Sequence, residues 1–285
     1  EDLDAVAEVL AGDVAWVEGP PESPVLRVAP VDVAELLRES LWSTTTAVLT
    51  SATLPATLPE RVGLDAGDVT VLDVGSPFDY EHQALLYCSA HLPDPRSATF
   101  DERVHDELEA LIGAAGGRTM ALFTSYRALH LAVEALRPRL DVEVLAQDDL
   151  PKAALVARFT AEPATCLFAT MGFWQGVDVP GETLSLVTID RLPFPRPDDP
   201  LLQARRERAR ADAFRVVDLP RAATLLAQGA GRLIRGATDR GVVAVFDPRM
   251  ATNASYRWDI VNALPPMRRT RKRDEAEAFL RELRG

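Results

Sequence analysis

The chain has 285 residues, 31 basic side chains against 43 acidic ones, and a formal net charge of −12. With 47% hydrophobic and 26% charged residues it can bury a core, which excludes a disordered tail. The charge argues against a chain coated all over with nucleic-acid-binding groups, but not against a local basic groove.

The length suits about two domains or one large one. No charged segment followed by an apolar stretch opens the chain, so no signal peptide is predicted. Residues 1–75 hold predicted strands at 14–18 and 25–28 across the turn Gly19-Pro20-Pro21-Glu22-Ser23-Pro24. A helix over 33–42 and apolar strands over 47–51 and 69–74 follow. These are too few elements for a separate core, so 1–75 is expected to be the trailing part of a domain whose beginning lies elsewhere. Gly75-Ser76-Pro77-Phe78-Asp79-Tyr80 marks a boundary.

Beyond it, predicted strands (84–88, 119–124, 142–145, 165–170, 184–189, 242–247) alternate with helical patterns. Those fall at 100–114, 126–137, 151–159, 201–214, 219–234 and 251–262. Several strands are continuously apolar, as in a parallel sheet covered on both faces. The alternation reads as α/β, doubly wound. Residues 76–267 form one predicted domain, and 268–285 a basic tract, Arg268 to Arg273, with an acidic amphipathic helix. No apolar run is longer than a strand, so no membrane span is predicted. Two Cys do not make a disulfide framework, and a reducing, cytoplasmic setting is expected.

Only two of the 31 basic residues are lysines, Lys152 and Lys272. A P-loop needs a lysine in Gly-x-x-x-x-Gly-Lys-[Ser/Thr], and neither follows a Gly-rich turn. Any nucleotide chemistry therefore needs that lysine from elsewhere.

Four segments carry chemistry. In Gln228-Gly229-Ala230-Gly231-Arg232-Leu233-Ile234-Arg235, a continuous helix would set Gln228, Arg232 and Arg235 on one face. Guanidinium forks match phosphate oxygens and keep their charge. An ordinary amphipathic helix would show the same spacing, but two interior glycines weaken that reading. The segment from Ala169 through Gly176 and Asp178 to Gly181 is Gly-rich and joins two apolar strands. In Leu122-Phe123-Thr124-Ser125-Tyr126-Arg127 a strand gives way to a helix, with Ser125 a natural N-cap beside amides that attract phosphate. Val48 to Leu54 is an apolar strand ending in hydroxyls.

Taken in order, these segments resemble the DinG/XPD-like branch of superfamily 2 helicases. Ser51-Ala52-Thr53-Leu54 is similar to helicase motif III, Leu122–Arg127 to motif IV, Thr170–Gly181 to motif V and Gln228–Arg235 to motif VI. Arg191-Leu192-Pro193-Phe194-Pro195 and Asp247-Pro248-Arg249 also fit the family's habitual surroundings.

The resemblance implies a RecA-like domain that pairs with a first RecA-like domain and hydrolyses ATP with Mg2+ in the cleft between them. It implies that Arg232 and Arg235 face the γ-phosphate, Arg235 being the arginine finger, and that Gln228 senses the same phosphate. Thr170, Gly176 and Asp178 would link nucleotide state to the grip on DNA. Thr124, Ser125 and Tyr126, with Thr170, would touch single-stranded or forked DNA, and Ser51 and Thr53 would couple the domains. Translocation would run 5′ to 3′.

Walker A and the Asp-Glu-Ala-His box are absent, so the chain alone is expected to be inactive. Asp274-Glu275-Ala276-Glu277 follows a basic tract rather than a buried strand and is not that box. Cys88 and Cys166 lie in apolar strands as buried thiols, so an iron–sulfur cluster could lie only in a preceding region. His82, His91, His105 and His130 show no metal-ligand spacing. Two alternatives stay open: a non-catalytic single-strand-binding module, and an exonuclease-linked helicase of the same type.

Overall fold

A computed structural model describes residues 12–51, 55, 57–65, 67–162, 164–174 and 183–284. Two units emerge: Glu1–Gly75 with Phe194–Arg221, and Ser76–Pro193 with Ala222–Gly285.

In the first unit, β1 (Asp13–Glu18) and β2 (Val25–Pro30) form an antiparallel hairpin with Ala15 opposite Val28. The proline-rich connection closes through Ser23 N–H donating to the Pro20 carbonyl at 2.9 Å. Helix α4 (Pro200–Ala209) belongs to the same unit. Its Arg205 Nε donates to the Val31 carbonyl at 2.9 Å, and Arg206 pairs with Asp218 at 2.8 Å. The predicted helix over 201–214 thus stops early, at Arg210, whose φ of +51° breaks the α geometry.

Residues 47–51 and 69–74, predicted as strands, are not strands here. Val48, Val71, Leu72 and Val74 are more than two-thirds exposed. An apolar run becomes a strand only when neighbouring backbone takes up its N–H and C=O groups. Among the described residues no strand pairs with either segment.

The second unit is a seven-stranded, wholly parallel sheet in the order β5-β6-β4-β7-β8-β3-β9. Its strands are β3 (Ala84–Cys88), β4 (Thr119–Phe123), β5 (Glu143–Ala146), β6 (Thr165–Thr170), β7 (Leu186–Ile189), β8 (Gly241–Val245) and β9 (Arg268–Thr270). Alternate residues face opposite layers. Ala121, Phe123, Phe168 and Ala244 join one core with α1 (Phe100–Ala115), α2 (Tyr126–Leu136) and the C-terminal helix α6 (Arg273–Glu282). The opposite face holds α3 (Lys152–Ala161) and the part of α5 (Leu219–Ala230) from Ala222 onward.

Burial on both faces explains why β3, β4 and β8 read as largely apolar runs, each buried Val, Leu, Met or Phe side chain contributing about 1.5–3 kcal/mol. The turn after α1 requires glycine: Gly117 has φ +88°, and a Cβ there would lie 2.7 Å from the Ala164 carbonyl carbon. No helix among the described residues is long and apolar enough to cross a membrane.

Candidate functional site

Strand β4 ends at Phe123, and Ser125 starts α2 in extended geometry, its hydroxyl accepting from Ala128 N–H at 3.2 Å. This is the N-cap that the sequence indicated. Between them Thr124 is held by Asp190, the residue that follows β7. Thr124 N–H donates to Asp190 Oδ1 at 2.8 Å, and its hydroxyl to Oδ2 at 3.2 Å. Asp190 is 4% exposed. Burial pushes its carboxyl up to about 7, against the opposing pull of the Arg191 charge and the Thr124 donors.

The neighbouring strand repeats the arrangement with a neutral group. In the β4–β6 pairing Phe123 stands opposite Thr170, and β5 runs beside β6 with Gln147 N–H donating to the Phe168 carbonyl at 2.9 Å. Gln147 Oε1 accepts from Thr170 N–H at 2.8 Å and from its hydroxyl at 2.9 Å. Gln147 Nε2 donates to the Tyr126 hydroxyl oxygen at 2.7 Å. The structure therefore brings Thr124, Ser125, Tyr126 and Thr170 together at the carboxyl ends of adjacent parallel strands, where open α/β sheets bind ligands. Lys152 adds positive charge, its ammonium 5.2 Å from the Phe173 ring centre just after β6.

Helix α5 does not run to Ile234. It ends at Ala230, and Arg232 and Leu233 N–H bond back three residues, to Gly229 and Ala230. Arg235 and Gly236 N–H both donate to Asp239 Oδ2, at 2.7 and 2.8 Å, which shapes a turn. The expectation that Gln228, Arg232 and Arg235 share one helical face is thus corrected. Gln228 is exposed on the last turn, and the two half-buried arginines lie in the connection after it. The cause is local: two glycines weaken the helix, and Asp239 offers its amides another partner.

The last turn of α5 packs against the sheet at Gly229. A Cβ there would meet Ile189 Cδ1 at 3.4 Å and Leu122 Cδ1 and Met171 Cε at 3.6 Å. The helix end that precedes the arginines therefore packs beside β4, β7 and the residue that follows Thr170.

Asp247, fully buried after β8, ties together the two further segments singled out above. It accepts from Leu192 N–H at 2.9 Å and pairs with the Arg249 guanidinium at 2.6 Å. Ser51 lies in the first unit, exposed in irregular chain. Thr53, Gly176 and Asp178 fall outside the described residues. Cys88 and Cys166 sit in β3 and β6, their thiols pushed up by burial to about 11 and about 12, so neither is a thiolate at neutral pH.

Sequence reasoning missed Asp190 and Gln147. Both are polar residues immediately after, or one position beyond, a predicted apolar strand, and that placement was the available signal.

Comparison with known proteins gives a consistent result. Residues 108–267 match the helicase C-terminal domain family model. The chain is 48% identical to the ATP-dependent helicase DinG of Mycobacterium tuberculosis, over 95% of this chain and 43% of that protein. It is 38% identical to the ATP-dependent DNA helicase YoaA of Escherichia coli, over 93% of this chain and 43% of that protein. The chain thus spans less than half the length of these curated relatives. A solved XPD helicase superposes with a TM-score of 0.69 at 16% identity, covering 94% of this chain and 49% of the other, which establishes a shared fold.

Proposed function

The chain belongs to the helicase C-terminal domain family, and from that premise we propose that it is the C-terminal portion of a DinG-like, ATP-dependent DNA helicase. In this reading residues 76–267 hold the second RecA-like domain, with 194–221 falling in the first unit. Residues 268–285, its basic tract and C-terminal helix, add a strand and a helix to that domain's sheet and core, and 1–75 are the trailing part of the first domain. Exposed apolar segments at Val48–Leu49 and Val71–Val74 support the last point, since their backbone needs partner strands. The full-length protein would translocate on single-stranded DNA, 5′ to 3′ as the resemblance implies, and unwind duplex or forked substrates.

One observation carries the reading. Gly229, in the last turn of the helix that leads to Arg232 and Arg235, lies beside Leu122 of β4, Ile189 of β7 and Met171 just after β6, and the ends of β4 and β6 carry Thr124 and Thr170. A shift of the arginines on a nucleotide would press on the strand ends that grip DNA. Arg232 and Arg235 fit the oxygens of a triphosphate as bidentate, permanently charged donors, and Arg235 is our arginine finger. Gln228, with Gly176 and Asp178, would report the same nucleotide, and Ser51 and Thr53 would couple the domains. Among the described residues no group of three His, Cys, Asp or Glu side chains is placed to hold a metal. Mg2+ and the P-loop contacts would come with the first domain, as the resemblance implies.

The test uses the purified chain. It is expected to bind a labelled oligonucleotide with salt-dependent affinity and to hydrolyse no ATP, with or without DNA. DNA-stimulated, Arg235-dependent turnover by this chain alone would overturn the proposal.

A further inference from the structure

Gln147 lies in none of the segments that carry the helicase resemblance, yet it bonds two of them, at Tyr126 and at Thr170. Its amide orientation is not ambiguous. Thr170 N–H can only donate, so the atom 2.8 Å from it must be the oxygen, Oε1. The Thr170 hydroxyl, 2.9 Å from the same oxygen, must then spend its one proton there. Nε2 necessarily faces the Tyr126 hydroxyl at 2.7 Å, and an amide nitrogen only donates. The phenol oxygen is therefore the acceptor in that bond, and the phenol's single proton is left over. Tyr126 is 51% exposed on the first turn of α2.

We propose that Gln147 is a positioning residue for a bound strand: by donating to the Tyr126 oxygen it turns the phenol's only proton outward, as a donor to a phosphate oxygen of single-stranded DNA. The proposal rests on the reading that residues 124–126 touch the strand, and it divides their roles. Tyr126 donates to phosphate, because phosphate oxygens accept only. Thr170 does not, because its hydroxyl proton is committed to Gln147. Thr170 instead anchors Gln147 to the end of β6, so a movement of that strand end is passed to the phenol through one rigid amide.

The experiment measures affinity of this chain for fluorescein-labelled oligothymidylate by anisotropy at fixed ionic strength, with hydrogen exchange at the Thr170 amide as a readout that needs no DNA. Tyr126→Phe is expected to weaken binding roughly tenfold, the effect of one hydrogen bond to a charged group. Gln147→Ala should weaken it as much, and the double variant no further. Thr170 amide protection should fall at least about tenfold in Gln147→Ala and persist in Tyr126→Phe.

Gln147→Glu guards against a folding defect. It keeps both acceptor bonds to Thr170 but offers the phenol an acceptor, which captures its proton. Thr170 protection is then retained while affinity falls at least as far as in Tyr126→Phe. Additive losses in the double variant, or parent-like binding by Gln147→Glu, would overturn the proposal alone. A parent chain that protects Thr170 through Gln147 yet binds no oligonucleotide would overturn the strand-contact reading, and the proposal with it.

Discussion

Asp190 holds Thr124 by both of that residue's donors, the backbone N–H at 2.8 Å and the hydroxyl at 3.2 Å. Gln147 holds Thr170 in the same way one strand along. The two clamps differ in charge. Gln147 is neutral, whereas Asp190 is a carboxyl buried at the end of β7 and pushed up to about 7 by that burial. The difference has consequences for stability.

Between the ordinary value of 3.8 and about 7, folded Asp190 keeps a proton that the unfolded chain has lost. Stability from this group therefore falls as pH rises through that window, and above it the whole cost of a buried charge is present. Asp190→Asn removes the charge and keeps an acceptor for Thr124 N–H. The variant is expected to exceed the parent in stability by roughly 1–3 kcal/mol at pH 8 and by less at pH 5. Urea midpoints at the two pH values check this, and equal gains at both would refute it.

Ser125 caps α2, and this role is separable from its proposed place on the strand path. Ser125→Ala loses the N-cap bond to Ala128 and should cost about 1 kcal/mol, seen as a lower urea midpoint with unchanged slope. Ser125→Asp keeps a cap of equal quality but sets a negative charge where DNA phosphate is proposed to lie. Its melting should match the parent while oligonucleotide affinity drops. Full affinity in this variant would remove Ser125 from the strand path.

Gly229 and Gly117 predict opposite responses to alanine. At Gly229 a Cβ meets side-chain methyls at 3.4–3.6 Å, which is ordinary contact. Gly229→Ala should therefore be neutral or stabilise by up to ~1 kcal/mol through helix propensity, and Gly229→Leu should destabilise by overpacking. At Gly117 both the left-handed φ and the 2.7 Å approach to Ala164 forbid a side chain. Gly117→Ala should cost more than ~1 kcal/mol. Thermal melts of the three variants decide the matter.

In the full-length protein, Arg235→Ala is expected to lower DNA-stimulated ATP turnover by about 10³-fold or more. Oligonucleotide affinity should stay within about twofold, since the proposed contact is with the nucleotide. Arg235→Lys should not restore turnover, because an ammonium lacks the planar fork. Unimpaired turnover in the alanine variant would move the finger role to Arg232.

Strands β3, β4, β6 and β8 were legible because residues buried on both faces leave a largely apolar run, a property of the strand itself. Ser125 was legible because an N-cap acts within three residues of its own position. The family was legible because its segments keep their order along the chain. Strand β9 was not. It is three residues from a basic tract, with only Thr270 buried, and it becomes a strand through pairing with Leu85–Tyr87 of β3. The runs at 47–51 and 69–74 failed for the converse reason, having strand composition without a partner.

The clamps on Thr124 and Thr170 were decided by residues 66 and 23 positions away, Asp190 and Gln147. By itself the sequence determined the types of the central elements of the second unit, the order of the motifs and the lack of a P-loop lysine, because these depend on neighbouring residues or on composition. The tertiary structure decided which polar side chain meets which backbone amide. A hydrogen bond is set by distance and direction in space, and the spacing along one strand cannot encode what stands at the end of the next.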